Sequence, residues 1–527
     1  MESKYDFVVV GGGPAGSAVA AGLAAAAKKP TVLLLEAGGP NSDREMLVDG
    51  KRWVTLQQES MNWSYKTTPQ EHCANRELDY SRGLGLGGSS AINFGVFTRG
   101  ARDDYEEWAR IVGDDNFRWE PIWARFKRLE TFHGELPPTI DKKYAAPKAE
   151  DHGSAGPLHV GYAAEWETDL PPLMDLFEEA GFSVNPDHNS GNPLGMSILI
   201  NSSSKGLRST AKDLLTPIPE NLTIITDSPV QRVILEGKKA IGVESNGNKY
   251  TPAIGQGLRD HMFSPLVYTR AEGSTARGTF YGSQAAMDIA LAQWRADGTG
   301  PWSKFACELG IGFFKLASLA ETPEFRALPA AERAYLEAPT VPHYEILTHF
   351  PMHWFLPGGE ELSAADLNSS CLLVFYYNAQ ARGEVTLQSA DPATPLRFDP
   401  RFLSTAFDRR VAIDAMREAL QFARREAYAR DSVALLAGPG GDSDHEILDY
   451  WRRTIASSWH MTGTVKMGRP GDEDAAVDSA FRVTGFEGLR VADMSVVPVL
   501  ASCHVQAVAY VTGMTCAEKL VREYGLA

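Results

Sequence analysis

The chain has 527 residues, of which 43% are hydrophobic and 22% charged, and its formal net charge is −16. This composition is typical of a large globular protein with enough apolar residues for a sizeable core. The negative charge argues against a nucleic-acid partner, because binding to phosphates needs clustered Lys and Arg. The five cysteines include no CxxC pair, so we expect free thiols and no disulfide framework.

The first 36 residues alternate between strand and helix patterns. An apolar strand, YDFVVV at 5–10, leads through a glycine-rich turn and an alanine-rich helical stretch to a second apolar strand, TVLLL at 31–35. No charge occurs between residues 7 and 26, but the glycines and the proline there favour a βα unit over a membrane span. Because the first strand begins at Tyr5, we expect no signal peptide, no membrane partner and a cytoplasmic location.

The glycine-rich turn has the pattern of a dinucleotide-binding fingerprint. Its spacing is Gly11-x-Gly13-x-x-Gly16, and Glu36 follows 20 residues after the last glycine, at the end of the second strand. Glycine at these positions permits a tight turn, close approach of a pyrophosphate and close packing of helix on strand. The helix N-terminus offers N–H groups to phosphates, and Glu36 is placed to accept hydrogen bonds from a ribose diol.

The remaining elements follow from apolar runs and turn residues. A second glycine-rich segment, 82–99, is suited to lie against a flat ligand because few side chains project from it. Strand patterns occur at 221–225, 230–235, 371–377, 384–387 and 489–491, and helical patterns at 408–428 and 506–524. The stretch from about 260 to 450 indicates a separate lobe of sheet and helix.

Several long motifs follow one another along the chain. They are GGGPAG at 11–16, RGLGLGGSSAIN at 82–93, SSWHMTGTVKMG at 457–468 and GLRVADMS at 488–495, the last running on to Ser502-Cys503-His504. In sequence and order these motifs resemble the glucose–methanol–choline (GMC) family of FAD-dependent oxidoreductases. The resemblance covers nearly the whole chain.

The resemblance implies an α/β fold (α+β overall) with two lobes. One is a Rossmann-like FAD-binding lobe assembled from separated segments, and the other is a substrate lobe built on an antiparallel sheet flanked by helices. The FAD lobe is expected to comprise 1–155, 206–262 and 456–527, and the substrate lobe 156–205 and 263–455.

The chain departs from the family between Tyr250 and Ile254. Members of the family carry several tens of residues between the strand that ends near Val243 and the segment 254–261, including a strand and a turn beside the cofactor, and here the five residues 249–253 bridge the gap. So short a segment is unable to rebuild a strand and a turn. Three explanations stay open: the lobe binds FAD without these residues, an exon was lost, or the protein has abandoned flavin for redox-neutral chemistry.

The resemblance also assigns positions along the cofactor. FAD would be bound without a covalent link, since the region 89–91 contains no histidine. The residues expected to contact it are Gly11, Gly13, Pro14, Ala15, Gly16, Glu36, Ala37, Asn93, Phe94, Gly95, Val96, Val230, Ala492, Asp493, Val505 and Gln506.

Two histidines are the candidate catalytic residues. A neutral imidazole has a reference pKa near ~6.5 and can take the hydroxyl proton of an alcohol while hydride passes to flavin. By resemblance, His460 is the proton acceptor and His504 hydrogen-bonds the alcohol oxygen. The other ten histidines are interpreted as structural, and Cys503 as a small buried residue. No metal site is expected, because Pro351 interrupts the helical spacing of His349 and His353.

The leading functional hypothesis is an FAD-dependent oxidase or dehydrogenase of a primary or secondary alcohol. Aromatic residues in the motifs favour an aromatic or apolar small molecule, in small-molecule biosynthesis, with O₂ or another compound as electron acceptor. The alternative is a redox-neutral cyclase, dehydratase or isomerase that uses the same two histidines, with FAD absent or structural. A third hypothesis is a binding protein that keeps the fold without catalysis.

Overall fold

The computed structural model contains one lobe with a small parallel sheet and a second lobe with a large antiparallel sheet. It describes residues 5–48, 51–136, 140, 142–163, 165–244, 255–277, 280, 283–303, 309–349, 368–389, 391 and 394–527. Within these ranges no helix is both long enough and apolar enough to cross a membrane. The four cysteines in these ranges are free and buried: Cys73, Cys371, Cys503 and Cys516.

The strands, in chain order, are β1 (Phe7–Val10), β2 (Val32–Leu35), β3 (Glu130–His133), β4 (Leu158–Gly161), β5 (Gly195–Ile198), β6 (Ser203–Ser204), β7 (Leu207–Arg208), β8 (Leu222–Ile225), β9 (Arg232–Glu236), β10 (Lys239–Glu244), β11 (Gln256–Leu258), β12 (Met262–Arg270), β13 (Gly310–Phe314), β14 (Tyr344–Thr348), β15 (Ser369–Tyr376), β16 (Gly383–Thr386), β17 (Arg397–Asp399), β18 (Ser432–Ala437) and β19 (Ala456–Ser457).

The α-helices, in chain order, are α1 (Pro14–Ala24), α2 (Arg52–Leu56), α3 (Arg102–Val112), α4 (Trp119–Leu129), α5 (Leu170–Glu179), α6 (Gln284–Asp297), α7 (Pro323–Arg326), α8 (Ala330–Glu337), α9 (Ala406–Ala423), α10 (Glu426–Ala429), α11 (Asp444–Thr454) and α12 (Gln506–Glu523).

The predicted βαβ unit is confirmed. β1, β2 and β8 form a parallel sheet in that order, and α1 lies against the C-terminal helix α12. Small residues bring the two helices together: a Cβ at Gly513 would lie 2.2 Å from the Ala15 carbonyl oxygen, and one at Gly22 would lie 2.7 Å from Ala517 Cβ. The last helix of the chain therefore holds the first one in place.

The antiparallel sheet of the second lobe is also confirmed. Its order is β18-β12-β15-β14-β13-β5, with β19 paired to β12. Alternate residues of β15 pack into two different hydrophobic cores, as expected for a strand that is buried on both faces. Leu372, Val374 and Tyr376 pack into the core that includes α9, whereas Leu373 and Phe375 pack on the face that also contacts Phe94 and Trp459. This second face forms one wall of the candidate site.

Two sequence predictions need correction. The helix expected at 408–428 is two helices, α9 and α10, because Arg425 between them has an extended conformation. The strand expected at 489–491 is wrong: this stretch is irregular, and Arg490 makes one isolated bridge to Arg482. Short apolar runs do not distinguish a strand from a buried irregular segment.

The shortened segment expected between Tyr250 and Ile254 lies outside the described residues. In the described part of the chain, β1 pairs with β2 alone. Its alternate side chains Val8 and Val10 are 40% and 52% exposed. One face of the parallel sheet is therefore only partly covered at β1.

Candidate active site

The glycine turn between β1 and α1 has the geometry that the fingerprint requires. Gly11 has a φ of +95°, a value that side chains strongly disfavour. A Cβ at Gly16 would lie 2.0 Å from the Gly11 carbonyl oxygen, so only glycine fits there. Gly13 caps α1 without a side-chain hydrogen bond, which leaves the first amides of the helix available to an anion.

Glu36 joins this turn to the second glycine-rich segment. The carboxylate is buried, with the residue 6% exposed. One oxygen accepts a 2.6 Å hydrogen bond from the Gly12 amide, and the other accepts from the Gly38 and Gly85 amides at 3.0 and 2.9 Å. A carboxylate has about four acceptor positions, so about one remains for a ribose hydroxyl.

A polar cluster joins the second glycine-rich segment to the start of α12. The Asn93 side-chain amide donates to Gln506 Oε1 at 3.1 Å, and the Gln506 amide donates to the Val96 carbonyl oxygen at 2.7 Å. Asn93 Oδ1 accepts from the Gly95 amide at 2.9 Å. These bonds hold residues 93–96 and 506 side by side, although 410 residues separate Val96 from Gln506.

The structure brings nearly all the predicted site residues to one cleft. Its cavity has a volume of about 1170 Å³. It is lined by Gly11, Gly13, Pro14, Ala15, Gly16, Asn93, Phe94, Gly95, Val96, Val230, His460, Ala492, Asp493, His504, Val505 and Gln506. Glu36 and Ala37 line an adjoining cavity, which shares Gly11, Gly13, Pro14 and Val230 with the first. The cleft thus runs from the glycine turn to the two histidines.

His460 and His504 face each other at one end of this cleft. Their ring centroids are 4.9 Å apart and the ring planes are nearly perpendicular, at 86°. His460 is 8% exposed and His504 9%. His460 uses Nδ1, and His504 uses Nε2, for hydrogen bonds to other residues. His460 Nε2 and His504 Nδ1 have no hydrogen-bond partner within the described residues, yet neither is a fully buried atom. Both nitrogens are therefore open to a ligand in the cleft.

Two neighbouring chain segments position His460. β19 pairs with the start of β12, where Met262 lies opposite Ser457. Just before β12, the Asp260 carboxylate accepts a 2.7 Å hydrogen bond from the His460 amide, and an isolated bridge joins Arg259 to Thr462. The loop that carries His460 is thus fixed from both sides.

Each histidine also has a partner that the sequence interpretation missed. His504 Nε2 donates to Glu345 Oε1 at 2.9 Å, and Tyr377 donates its hydroxyl proton to the other oxygen of Glu345. His460 Nδ1 lies 3.1 Å from His261 Nδ1 and 3.0 Å from Ser458 Oγ. Two features of the sequence could have indicated these partners: Glu345 is a charged residue within the apolar stretch YEILT, and His261 follows an aspartate in RDH.

Burial keeps His460 and His261 neutral. It lowers the pKa of His460 well below its ordinary value of 6.5, and electrostatic interactions with the neighbouring His504, His261 and Arg82 lower it further. Burial also lowers the pKa of His261. A neutral His460 is able to accept a proton at working pH. The neighbouring Cys503 is fully buried and its thiol pKa is raised by burial, which agrees with its interpretation as a packing residue.

The walls around the two histidines are apolar. Phe94 lies against Trp459 with ring centroids 5.9 Å apart, and Phe375 lies edge-on to His504 at 5.4 Å. Phe263, Leu347 and Leu373 also line this end of the cavity. The end of the cavity beside the two histidines is therefore lined largely by apolar side chains.

Two models of one family match this chain. The N-terminal GMC oxidoreductase model matches residues 5–262, and the C-terminal GMC oxidoreductase model matches residues 379–513. The chain belongs to the GMC oxidoreductase family. This membership confirms the resemblance inferred from the motifs, and it makes the protein an oxidoreductase.

Relatives within the family differ in the activity that their names state. Pyridoxine 4-oxidase from Microbacterium luteolum is 28% identical over 90% of this chain and 91% of its own length. Versicolorin B synthase from Aspergillus parasiticus is 27% identical over 83% of this chain and 74% of its own length. The structure of a fungal aryl-alcohol oxidase superposes with a TM-score of 0.85 at 22% identity, covering 100% of both chains. The last comparison shows a shared fold.

FAD is the cofactor that membership in the GMC family implies, and the cleft fits it. The glycine turn leaves the α1 amides open to a pyrophosphate, Glu36 keeps an acceptor position for a ribose, and residues 93–96 with Gln506 present backbone to a flat ring. The cavity continues from these groups to the histidine pair. The residues present are thus compatible with FAD.

Proposed function

We propose that this GMC family member oxidises a primary or secondary alcohol of aromatic or otherwise apolar character. The observation that carries the proposal is the pair of free histidine nitrogens, His460 Nε2 and His504 Nδ1, which open into an apolar end of the nucleotide cleft. Bound FAD supplies a hydride acceptor in this chemistry. The electron acceptor that regenerates it is O₂ or another small molecule.

We assign different residues to the binding of the cofactor and of the substrate. We assign cofactor binding to the predicted residues that line the two adjoining cavities, with Glu36 at the ribose and Asn93 and Gln506 at the ring system. The two histidines hold the substrate hydroxyl between them, with His460 Nε2 taking its proton and His504 orienting it. The aromatic walls exclude water and orient the carbon that loses hydride.

The proposal is tested with purified protein and bound FAD. Anaerobic mixing with benzyl alcohol should bleach the flavin absorption, whereas glucose and choline should bleach it much more slowly, because a sugar and a cation lose hydration in an apolar site without gaining polar partners. His460→Ala should slow bleaching by about 10²- to 10⁴-fold. His445→Ala is the matched control, because His445 is exposed on α11. Equal bleaching by all three alcohols would refute the substrate class.

A second candidate is redox-neutral ring closure or dehydration by the same histidines. The observation in its favour is that a synthase is among the relatives, 27% identical to this chain. An acid–base pair also suffices for such reactions without net transfer of electrons. A protein that folds and converts substrate while its flavin stays oxidised, or that contains no flavin, would support this candidate over the first.

A further inference from the structure

His261 lies directly behind His460, on the side away from the cleft. It is fully buried, at 0% exposure, and its Nδ1 is 3.1 Å from Nδ1 of His460. The two rings are almost perpendicular, at 89°, with centroids 5.2 Å apart. The His261 backbone is fixed as well, because its carbonyl oxygen accepts hydrogen bonds from the Ser458 amide at 2.9 Å and from Ser458 Oγ at 2.8 Å.

This contact couples the proton positions of the two rings. A neutral imidazole carries a proton on one nitrogen and a lone pair on the other. Two neutral rings that hydrogen-bond through facing Nδ1 atoms therefore share a single proton. If it belongs to His460, then His460 Nε2 has a free lone pair in the cleft. If it belongs to His261, then His460 carries its proton on Nε2 and is unable to act as a base there.

Ser458 favours the first arrangement, although that arrangement puts the His261 proton on Nε2, a buried atom with no hydrogen-bond partner within the described residues. Ser458 Oγ donates its only hydrogen to the His261 carbonyl oxygen, so towards His460 Nδ1, 3.0 Å away, it acts as an acceptor. His460 Nδ1–H then has two acceptors, Ser458 Oγ and His261 Nδ1. His261 also stays neutral, because burial lowers its pKa. A neutral acceptor in a buried position, such as His261 Nδ1, is suited to fix the tautomer of His460.

We propose that His261 is a positioning residue, which keeps the Nδ1 proton on His460 and so keeps His460 Nε2 ready to accept the hydroxyl proton of the substrate. This inference rests on the proposed alcohol oxidation. In the proton transfer the substrate O–H bond breaks, its electron pair stays on oxygen, and an N–H bond forms at His460 Nε2. FAD, when bound, would supply the acceptor for the hydride that leaves the substrate carbon, so that protons and electrons balance.

Two substitutions at His261 separate tautomer control from packing. His261→Asn keeps an oxygen that is able to accept a hydrogen bond near the Nδ1 position, whereas His261→Leu has a similar volume and no acceptor. His343→Asn is the matched control: His343 is also buried and hydrogen-bonded, but to Leu316 and Leu336. Each variant is compared with wild type for FAD content and melting temperature before any other measurement.

The direct readout is ¹⁵N NMR of histidine-labelled holoenzyme, with the His460 signals identified by their loss in His460→Gln. We expect Nδ1 of His460 to be protonated in wild type and in His261→Asn, and the proton to be distributed over both nitrogens in His261→Leu. We also expect kcat to fall about 10- to 100-fold in His261→Leu and less than about 3-fold in His261→Asn, with little change in KM.

A wild-type spectrum with the His460 proton on Nε2 would overturn the proposal. This spectrum is recorded without any conversion of substrate. So would a His261→Leu variant that keeps the wild-type kcat. If that variant does not fold, the spectra of wild type and His261→Asn still decide the question. Failure of every alcohol to reduce the flavin while His460 Nδ1 is protonated would instead refute the proposed function.

Discussion

Each of the two facing histidines has one nitrogen hydrogen-bonded to the protein and one nitrogen open to the cleft. Glu345 holds His504 by the Nε2 proton, and His261 with Ser458 holds His460 at Nδ1. Partners behind a reacting group fix its tautomer and ring orientation, so they influence the rate without touching the substrate. The effects of these partners are therefore measurable separately from those of the histidines themselves.

Glu345→Gln should lower kcat by about 10- to 100-fold with little change in KM. Glu345 is fully buried and accepts hydrogen bonds from both His504 and Tyr377. An amide has one acceptor oxygen, so it is unable to accept from both at separate oxygens, and its NH₂ group repels one of the donors. The measurement is steady-state kinetics with matched FAD content. Tyr377→Phe, which removes one donor and keeps the ring, should have a smaller effect, and the reverse order would contradict this account.

The pH profile of kcat/KM should show an acidic limb well below pH 6.5. Only neutral His460 accepts a proton, and burial lowers the pKa of His460 well below 6.5. The neutral form is therefore fully populated above pH 6.5, and activity is lost only as the pH falls through the lowered pKa. An acidic limb centred at or above pH 6.5 would show that His460 is not the group that titrates. The melting temperature at each pH shows whether unfolding is the cause.

At the scale of elements, local patterns were predictable and long-range pairing was not. The apolar strands β1 and β2 and the glycine turn between them follow from contiguous residues. The position of Glu345 depends on the pairing of β14 with β15, and the contact of His261 with His460 depends on β12 and β19, which are almost 200 residues apart. The packing of the whole sheet determines which residues of two distant strands lie opposite each other. The two histidines were therefore predictable from the sequence motifs, but Glu345 and His261 behind them were not.

Val8 and Val32 give a matched test of how the parallel sheet is covered. They lie on neighbouring strands, but Val8 is 40% exposed and Val32 is 0% exposed. Val32→Ala should destabilise the protein by about 2 kcal/mol, since a fully buried valine loses its packing. Val8→Ala should change the unfolding free energy by less than about 0.5 kcal/mol. Denaturant titration measures both, and equal losses would show that β1 is covered in solution.

On the scale of the whole molecule, the nucleotide cleft is built from segments that lie far apart in the chain. Residues near 11–16, 36, 93–96, 230, 492 and 506 all line the two adjoining cavities. A ligand that contacts all of them binds the folded state and not the unfolded chain. Its binding therefore stabilises the fold as a whole.

Removal of FAD should lower the melting temperature, and added FAD should restore it. At a free concentration of 100 times Kd the gain is about 2.7 kcal/mol, so the shift is several degrees or less for a protein of this size. FMN should raise the melting temperature less, because it lacks the adenosine that Glu36 and Val230 are expected to hold. Equal shifts with FMN and FAD would contradict the assigned adenosine end of the cleft.

The order in which the site residues occur along the chain has a consequence for biosynthesis. The glycine turn and the strands around it are made first, whereas His460 and His504 are translated among the last 70 residues, and α12 follows them to pack on α1. A nascent or truncated polypeptide that ends before residue 456 thus contains the phosphate-binding turn but neither imidazole of the pair. We therefore expect such a chain to show no flavin reduction, because it lacks both proposed catalytic side chains.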